Sequence, residues 1–85
     1  MKIYKYRLRV MASEAIRIPL GAEILSVQMQ EHMLCMWAKV DPEETMLATR
    51  TFAVYGTGHE LPLDPGVFLV TVQEGPYVWH VFETT

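Results

Sequence analysis

Cysteine is almost missing from this chain of 85 residues. A single thiol, at Cys35, excludes a disulfide within the chain and is typical of proteins from reducing compartments. Long apolar runs are missing as well, so the sequence predicts no membrane-spanning helix, and its first residues do not have the pattern of a signal peptide. We therefore expect a cytosolic protein without a membrane partner.

Basic residues are also scarce. Seven Lys and Arg residues stand against ten Asp and Glu, giving a net charge of −3. An acidic chain is poorly suited to non-specific binding of nucleic acid, so we exclude that class of function. The few cations are unevenly placed, and five of the seven are Lys2, Lys5, Arg7, Arg9 and Arg17.

The residue patterns of common catalytic and metal sites are lacking too. There is no Ser-His-Asp order, no nucleophile elbow, and no Gly-Lys-Ser/Thr segment of the nucleotide-hydrolase kind. The three histidines, His32, His59 and His80, are not at metal-ligand spacing from one another or from Cys35. We therefore expect no catalytic residue, no metal and no cofactor.

Apolar residues, in contrast, make up 51% of the chain. A single domain over residues 1–85 is small, and a small domain cannot bury all of this surface by itself. Part of the apolar surface is then expected to be covered by other copies of the chain. We predict a homo-oligomer, either a dimer or a dimer of dimers.

Period-two alternation of apolar and polar residues predicts an all-β fold of about seven short, mostly antiparallel strands. The predicted strands are Lys2–Val10, Ala15–Ile18, Ala22–Gln30, Leu34–Val40, Ala48–Tyr55, Gly66–Gln73 and Tyr77–Glu83. The fourth is apolar on both faces, which predicts a central strand and places Trp37 in the core or at a subunit contact. A strongly curved sheet, a half-open barrel or a small sandwich fits this pattern, with at most one helical turn over Asp41–Leu47.

A polar loop follows the fifth strand and crowds two glycines, a hydroxyl and an imidazole into one turn. Its residues are Tyr55, Gly56, Thr57, Gly58 and His59. Glycines let backbone N–H groups approach a bound group closely, and Thr and His side chains can bond to it, so the loop is a candidate small-ligand site. The simpler interpretation is a tight turn whose glycines adopt positive φ, and composition alone favours that one.

Arginines and an aromatic residue complete the candidate ligand site. Alternation along the first strand places Lys5, Arg7 and Arg9 in one row, and guanidinium groups bind phosphates well. Such a row can equally be a solvated face that discourages aggregation. If the ligand carries phosphate, we expect Arg7, Arg9 or Arg50 to face it beside the loop, and the alternative place for the site is the final hairpin around Trp79 and His80. The aromatic residues that could stack on a base are Tyr4, Tyr6, Trp37, Tyr55, Tyr77 and Trp79, although the core is the simpler place for most of them.

Five segments of the chain occur together in one known group of proteins: Met1–Tyr6, Gly21–Gln28, Trp37–Pro42, Tyr55–His59 and His80–Glu83. They span nearly the whole sequence. Through them the chain resembles a family of short proteins from phages and prophages, although its last hairpin, at Glu74-Gly75-Pro76, is shorter than is usual there. The resemblance implies a phage protein that acts in the cytoplasm of the infected bacterium.

Small phage proteins of this kind resemble the members of two functional classes. One binds and sequesters a nucleotide immune signal, such as a cyclic dinucleotide or a cyclic ADP-ribose derivative, and so inhibits anti-phage defence. The other is a protein-binding module that inhibits or recruits a host or virion protein. The first needs affinity rather than a catalytic group, which fits the residues present, and it is the function that we expect. Histidines 59 and 80 on one cleft would point instead to an enzyme that cleaves the signal.

Overall fold

Seven strands and no helix form residues 1–84, which are the residues that the computed structural model describes. They are β1 (Lys2–Leu8), β2 (Glu14–Pro19), β3 (Glu23–Gln30), β4 (Met33–Val40), β5 (Leu47–Gly56), β6 (Val67–Glu74) and β7 (Tyr77–Thr84). The all-β prediction is confirmed, and each strand begins and ends within two residues of its predicted bounds. The last residue of the predicted domain, Thr85, lies outside the described residues.

The strands form two antiparallel sheets. One has three strands in the order β1-β4-β3, and the other has four in the order β2-β5-β7-β6. Buried side chains from both sheets make one core cluster, which is Leu8, Val27, Leu34, Met36, Phe52, Val54, Val72 and Val81. The sheets therefore pack face to face as a small sandwich, and they do not close into a barrel.

Two hairpins have the turn geometry that their lengths require. Between β3 and β4, Glu31 and His32 have φ of 51° and 66°, the positive values that a two-residue hairpin turn of type I′ needs at both central positions. Between β6 and β7, Gly75 has a φ of 55° at the first central position. The sequence predicts hairpins at Gln30–Met33 and at Glu74-Gly75-Pro76, the first without the Asn-Gly pair that usually marks such a turn, and both are present.

The predicted capping pattern at Asp41 forms a turn and no helix. The Glu44 N–H donates to the Asp41 carbonyl, and the Glu43 N–H donates to the Asp41 Oδ1 at 3.0 Å. Because β5 begins at Leu47, there is no room for the chain to continue as a helix. The side chain that would cap a helix caps a single turn instead.

Two β-bulges curve the sandwich. The register of β3 shifts between Ile24 and Ser26, and that of β6 shifts between Phe68 and Val70. The extra residues are Leu25 and Leu69, and both line a cleft between β3 and β6, where the two sheets approach one another. A bulge increases strand twist, and both bulges lie where β3 and β6 come into contact.

The prediction for β4 is confirmed in part. It is the central strand of its sheet, paired with β1 and β3. Trp37 is not in the core, so of its two predicted places the subunit contact stays a prediction. The core side of β4 carries Leu34, Met36, Ala38 and Val40, whereas Trp37 lies half-buried on the outer face. Side chains alternate along a strand, so with Met36 and Ala38 on the inner face the indole of Trp37 points outward.

An ion pair joins β5 to β7. Arg50 on β5 binds Glu83 on β7 through two hydrogen bonds, Nε to Oε2 at 2.6 Å and Nη2 to Oε1 at 2.8 Å. Its third donor, Nη1, binds the Ala22 carbonyl. The hydrogen bond to Glu83 raises the pKa of Arg50 above its ordinary value; burial lowers it, and the charge of Glu83 raises it further.

We expect Arg50→Ala to lower the free energy of unfolding by about 1–3 kcal/mol, because it leaves a partly buried carboxylate without its partner. Chemical denaturation measures this change. Arg7→Ala is the matched control, since Arg7 is exposed, and its effect should stay within about 0.5 kcal/mol. Equal stability of the two variants would show that the Arg50–Glu83 pair is not structural.

Candidate functional site

One cleft lies on the outer face of the four-stranded sheet, and we call it the outer cleft. Its volume is about 310 Å³, and its lining residues are Tyr55, Gly56, Thr57, Gly58, His59, Leu61, Phe68, His80 and Phe82. All five residues of the predicted ligand loop are among them. This volume is at the lower end of the range of about 300–1,000 Å³ that is usual for small-molecule sites.

The loop itself is a tight turn with most of its amides already bonded. The His59 N–H donates to the Gly56 carbonyl, and Gly58 has a φ of 89°, as the third residue of a type II turn requires. The Thr57 N–H donates to the Val78 carbonyl, and the Gly56 N–H donates to His59 Nδ1 at 3.3 Å. The expected array of free backbone donors is therefore reduced, within residues 1–84, to the Gly58 amide.

His80 connects this turn to the sheet. Its Nε2 is 2.7 Å from Thr57 Oγ1, and its Nδ1 is 2.9 Å from Thr71 Oγ1. A hydroxyl can donate or accept, so each ring nitrogen of His80 has a partner. His80 therefore fixes the position of Thr57 at the wall of the cleft.

Three aromatic rings form the apolar wall of the outer cleft. Phe82 makes edge-to-face contacts with Tyr55 on one side and Phe68 on the other, with centroid separations of 5.9 Å and 5.5 Å. Phe68 remains 54% exposed, so its ring is accessible from solvent. Because the rings support one another, the wall has a defined shape before a ligand binds.

The predicted arginines do not line this cleft. Arg7 lies on the outer face of the three-stranded sheet, opposite Cys35, and thus on the other side of the sandwich. Arg9 follows the end of β1, where its Nε is 3.3 Å from Glu14 Oε2 and its N–H donates to Glu14 Oε1. The predicted row of cations is broken there, since β1 ends at Leu8.

Arg50 is also away from the loop. It lies six residues before Gly56 on β5, which is roughly 20 Å at the usual rise of an extended strand. Its guanidinium donates three hydrogen bonds, two to Glu83 and one to the Ala22 carbonyl. The expectation that Arg50 faces a ligand in the loop conflicts with this geometry.

Tyr4 belongs to the three-stranded sheet as well. It lies opposite Ala38 in the β1–β4 pairing and is 38% exposed. Its neighbour Tyr6 packs against the core, where burial raises the pKa of the Tyr6 phenol and the nearby Tyr4 adds to the rise. The structure thus brings together the five loop residues and separates them from the four others that were proposed.

The residues that sequence reasoning missed are Leu61, Phe68 and Phe82, while His80 was considered only as a possible pocket residue. Alternation along β7 could have indicated Phe82, because it shares a face with His80. Phe68 had no such signal. Without the bulge at Leu69, the two-residue hairpin turn would pair Phe68 with Glu83 rather than Phe82.

Both His59 and His80 line the outer cleft, the arrangement that would suit a signal-cleaving enzyme. The ring nitrogens of His80 are both engaged by hydroxyls, and His59 Nδ1 accepts from the Gly56 amide. No Asp or Glu is among the lining residues, so neither imidazole has a carboxylate there to orient it as a base. Within residues 1–84, no three metal-ligating side chains cluster, and no helix could cross a membrane.

The family model of the domain of unknown function DUF7352 matches residues 1–85. The chain belongs to this family. No curated protein and no solved structure matches it. DUF7352 is a domain of unknown function, so membership in it does not indicate an activity.

Gly56 is the position in the turn that most directly tests this geometry. A Cβ there would lie 2.8 Å from His59 Cε1 and 3.1 Å from Trp79 Cζ3. We therefore expect Gly56→Ala to displace the His59 ring and break its hydrogen bond from the Gly56 amide. The His59 ring signals in an NMR spectrum should shift.

Gly58→Ala is the control for this experiment. It strains a residue of positive φ next to His59, but apart from its two chain neighbours no atom lies within 4 Å of the added Cβ, so it separates the effect of strain in the turn from that of a Cβ at Gly56. If Gly56→Ala leaves the His59 signals as in the wild type, the ring does not pack over Gly56.

Proposed function

We propose that this DUF7352 protein binds and sequesters a nucleotide immune signal, of the cyclic dinucleotide or cyclic ADP-ribose type, with a planar ring of the ligand in the outer cleft. One observation carries the proposal. The glycine-rich turn and the aromatic wall of Tyr55, Phe68 and Phe82 meet at a single cleft. The phage origin and the action in an infected bacterium are what the sequence resemblance implies.

Ring recognition is the chemistry that this cleft supports. Stacking of a base on an aromatic side chain contributes about 1–3 kcal/mol and tolerates different bases. The Thr57 hydroxyl and the Gly58 amide lie at the polar side of the cleft, where they can bond to the edge of a ring or to a sugar hydroxyl. The cleft thus has one apolar wall and one polar wall. These match the apolar face of a nucleoside's base and the polar edge of the base and its sugar.

Phosphate recognition has less support. No Lys or Arg lines the outer cleft, and Arg50 is held by Glu83. A ligand's phosphates would then lie toward solvent, and the ring would supply most of the affinity. Sequestration is compatible with this arrangement because it requires tight binding of the intact signal and no catalytic group.

We expect His59→Ala to weaken the binding of such a nucleotide by roughly 1–3 kcal/mol, since it removes a face or a hydrogen bond from the cleft. Arg7→Ala should bind like the wild type, because Arg7 is on the other side of the sandwich. Titration calorimetry with a panel of cyclic dinucleotides and cyclic ADP-ribose derivatives measures both.

The same panel separates sequestration from catalysis. After incubation, the protein is denatured and the released ligand is analysed by chromatography. Intact ligand supports sequestration, and altered ligand would assign catalysis to the two histidines. Equal affinity of the wild type and the His59→Ala variant would place the ligand outside the outer cleft.

A second candidate function, a protein-binding module, is favoured by the outer face of the three-stranded sheet. Ile3, Leu25 and Trp37 line a shallow depression of about 370 Å³ there, together with Ser26 and Gln28. Ile3 is 61% exposed and Leu25 is 44% exposed. An apolar face of this kind suits a protein contact, either with another copy of the chain or with a host or virion protein.

We expect Trp37→Ser to dissociate a homo-oligomer while changing the melting temperature of the fold little, because the indole lies outside the core. Light scattering at micromolar concentration gives the mass, and a thermal melt of the same sample gives the stability. Ile18→Ser is the contrasting variant, since Ile18 is fully buried and its replacement should unfold the protein. A wild-type protein with the mass of a monomer would contradict self-association.

A further inference from the structure

A second cleft lies on the other side of the Gly56–His59 turn, and we call it the hairpin cleft. Its volume is about 430 Å³, and its lining residues are Gly56, Thr57, His59, Pro76, Tyr77, Val78 and Trp79. It is larger than the outer cleft, and three residues of the turn line both. A single turn of backbone therefore separates two clefts.

The hairpin cleft contains a stacked pair of aromatic rings. Tyr77 and Trp79 are two residues apart on β7, so both side chains are on the same face of the strand. Their rings are nearly parallel, with an interplanar angle of 11° and a centroid separation of 5.7 Å. Tyr77 is 58% exposed, which leaves much of its ring open to a ligand.

A third ring completes this surface. The His59 imidazole lies over the Cα of Gly56, in the space that a Cβ would occupy, and Trp79 approaches the same point. Gly56 thus permits a close approach of His59 and Trp79. The cleft contains three aromatic side chains and no Lys, Arg, Asp or Glu.

We infer that the hairpin cleft is a second binding site for a planar heteroaromatic ring, and that the ligand carries two such rings, one on each side of the Gly56–His59 turn. This inference rests on the proposed function and narrows its ligand to the two-ring members of the class. Three observations carry it: the parallel Tyr77–Trp79 pair, the lack of charge in the lining, and the turn shared with the outer cleft. A neutral aromatic surface selects a planar ring over an ion, since stacking needs no charged partner.

Two exposed aromatic residues allow a matched test. Tyr77→Ser removes a ring from the hairpin cleft, and Phe68→Ser removes one from the outer cleft; the two side chains are 58% and 54% exposed. The probes are a cyclic dinucleotide with two purine bases and the corresponding mononucleotide, which has one. We expect each variant to weaken binding of the cyclic dinucleotide about ten-fold or more, and only one variant to weaken binding of the mononucleotide.

Trp79 provides a second, independent signal. The chain has two tryptophans, so Trp37→Phe leaves Trp79 as the only indole. A base that enters the hairpin cleft should change the fluorescence of Trp79 in this background, with the same concentration dependence as the calorimetric binding curve.

The outcomes distinguish this inference from the proposed function. Ten-fold losses in both variants, together with a Trp79 signal, support two ring sites. The second site is overturned if Phe68→Ser loses binding of the cyclic dinucleotide, Tyr77→Ser binds it like the wild type, and Trp79 gives no signal. The proposed function is then still supported. Failure of the wild type to bind any nucleotide of the panel overturns the proposed function itself.

Discussion

The pairing of β5 with β7 is the constraint on which both clefts depend. Val54 lies opposite Val81 in this register, and both are buried in the core. Their neighbours in the same pairing, Tyr55 and His80, must then point to the outer face. A shift of one residue would exchange the two faces and send His80 and Phe82 into the core, where an imidazole without partners is costly. Burial of two valines therefore positions the aromatic and polar groups that a ligand would meet.

The bulge at Leu69 adds the third ring to the outer cleft. After the two-residue turn at Gly75-Pro76, uninterrupted pairing would place Phe68 opposite Glu83, on the inner side of the sheet. The extra residue moves Phe68 opposite Phe82 instead, and the two rings meet edge to face. One irregularity in a strand thus supplies an apolar wall, in agreement with the tendency of bulges to redirect side chains near sites.

Much of the fold could be predicted from the sequence because the information is local. The alternation in β1 and β3 and the doubly apolar pattern of β4 predict where these strands begin and end to within two residues. The turn between β3 and β4 could be located without a typical turn sequence, because the predicted strands end at Gln30 and begin at Leu34 and leave only three residues between them. The structure begins β4 at Met33 and limits the turn to Glu31-His32. The Asp41 segment was less predictable: its capping residues suit a helix or a turn equally, and the nearby start of β5 selects the turn.

The site was predictable only where its residues are neighbours in the chain. Tyr55–His59 could be identified because glycines, a hydroxyl and an imidazole follow one another, and the structure places all five on one cleft. The positions of Arg7 and Arg50 depend on which sheet each strand joins, and Glu83, the partner of Arg50, is 33 residues away. Periodicity predicts which face of its strand a residue lies on, but it does not predict which of the two sheets the strand joins.

The distribution of charge and aromatic surface decides how a ligand could be held. Lys5 and Arg7 lie on β1 of the three-stranded sheet, whereas both clefts of the Gly56–His59 turn are lined by neutral and aromatic side chains together with His59 and His80. In a nucleotide-binding site that relies on cations, ion pairing with phosphate contributes much of the affinity and weakens as salt screens it. Here the available interactions are stacking and hydrogen bonds to neutral groups, which salt screens far less. A site built on these two clefts, as we propose, would discriminate ligands by the number and spacing of their rings rather than by charge, and the turn between the clefts would set that spacing.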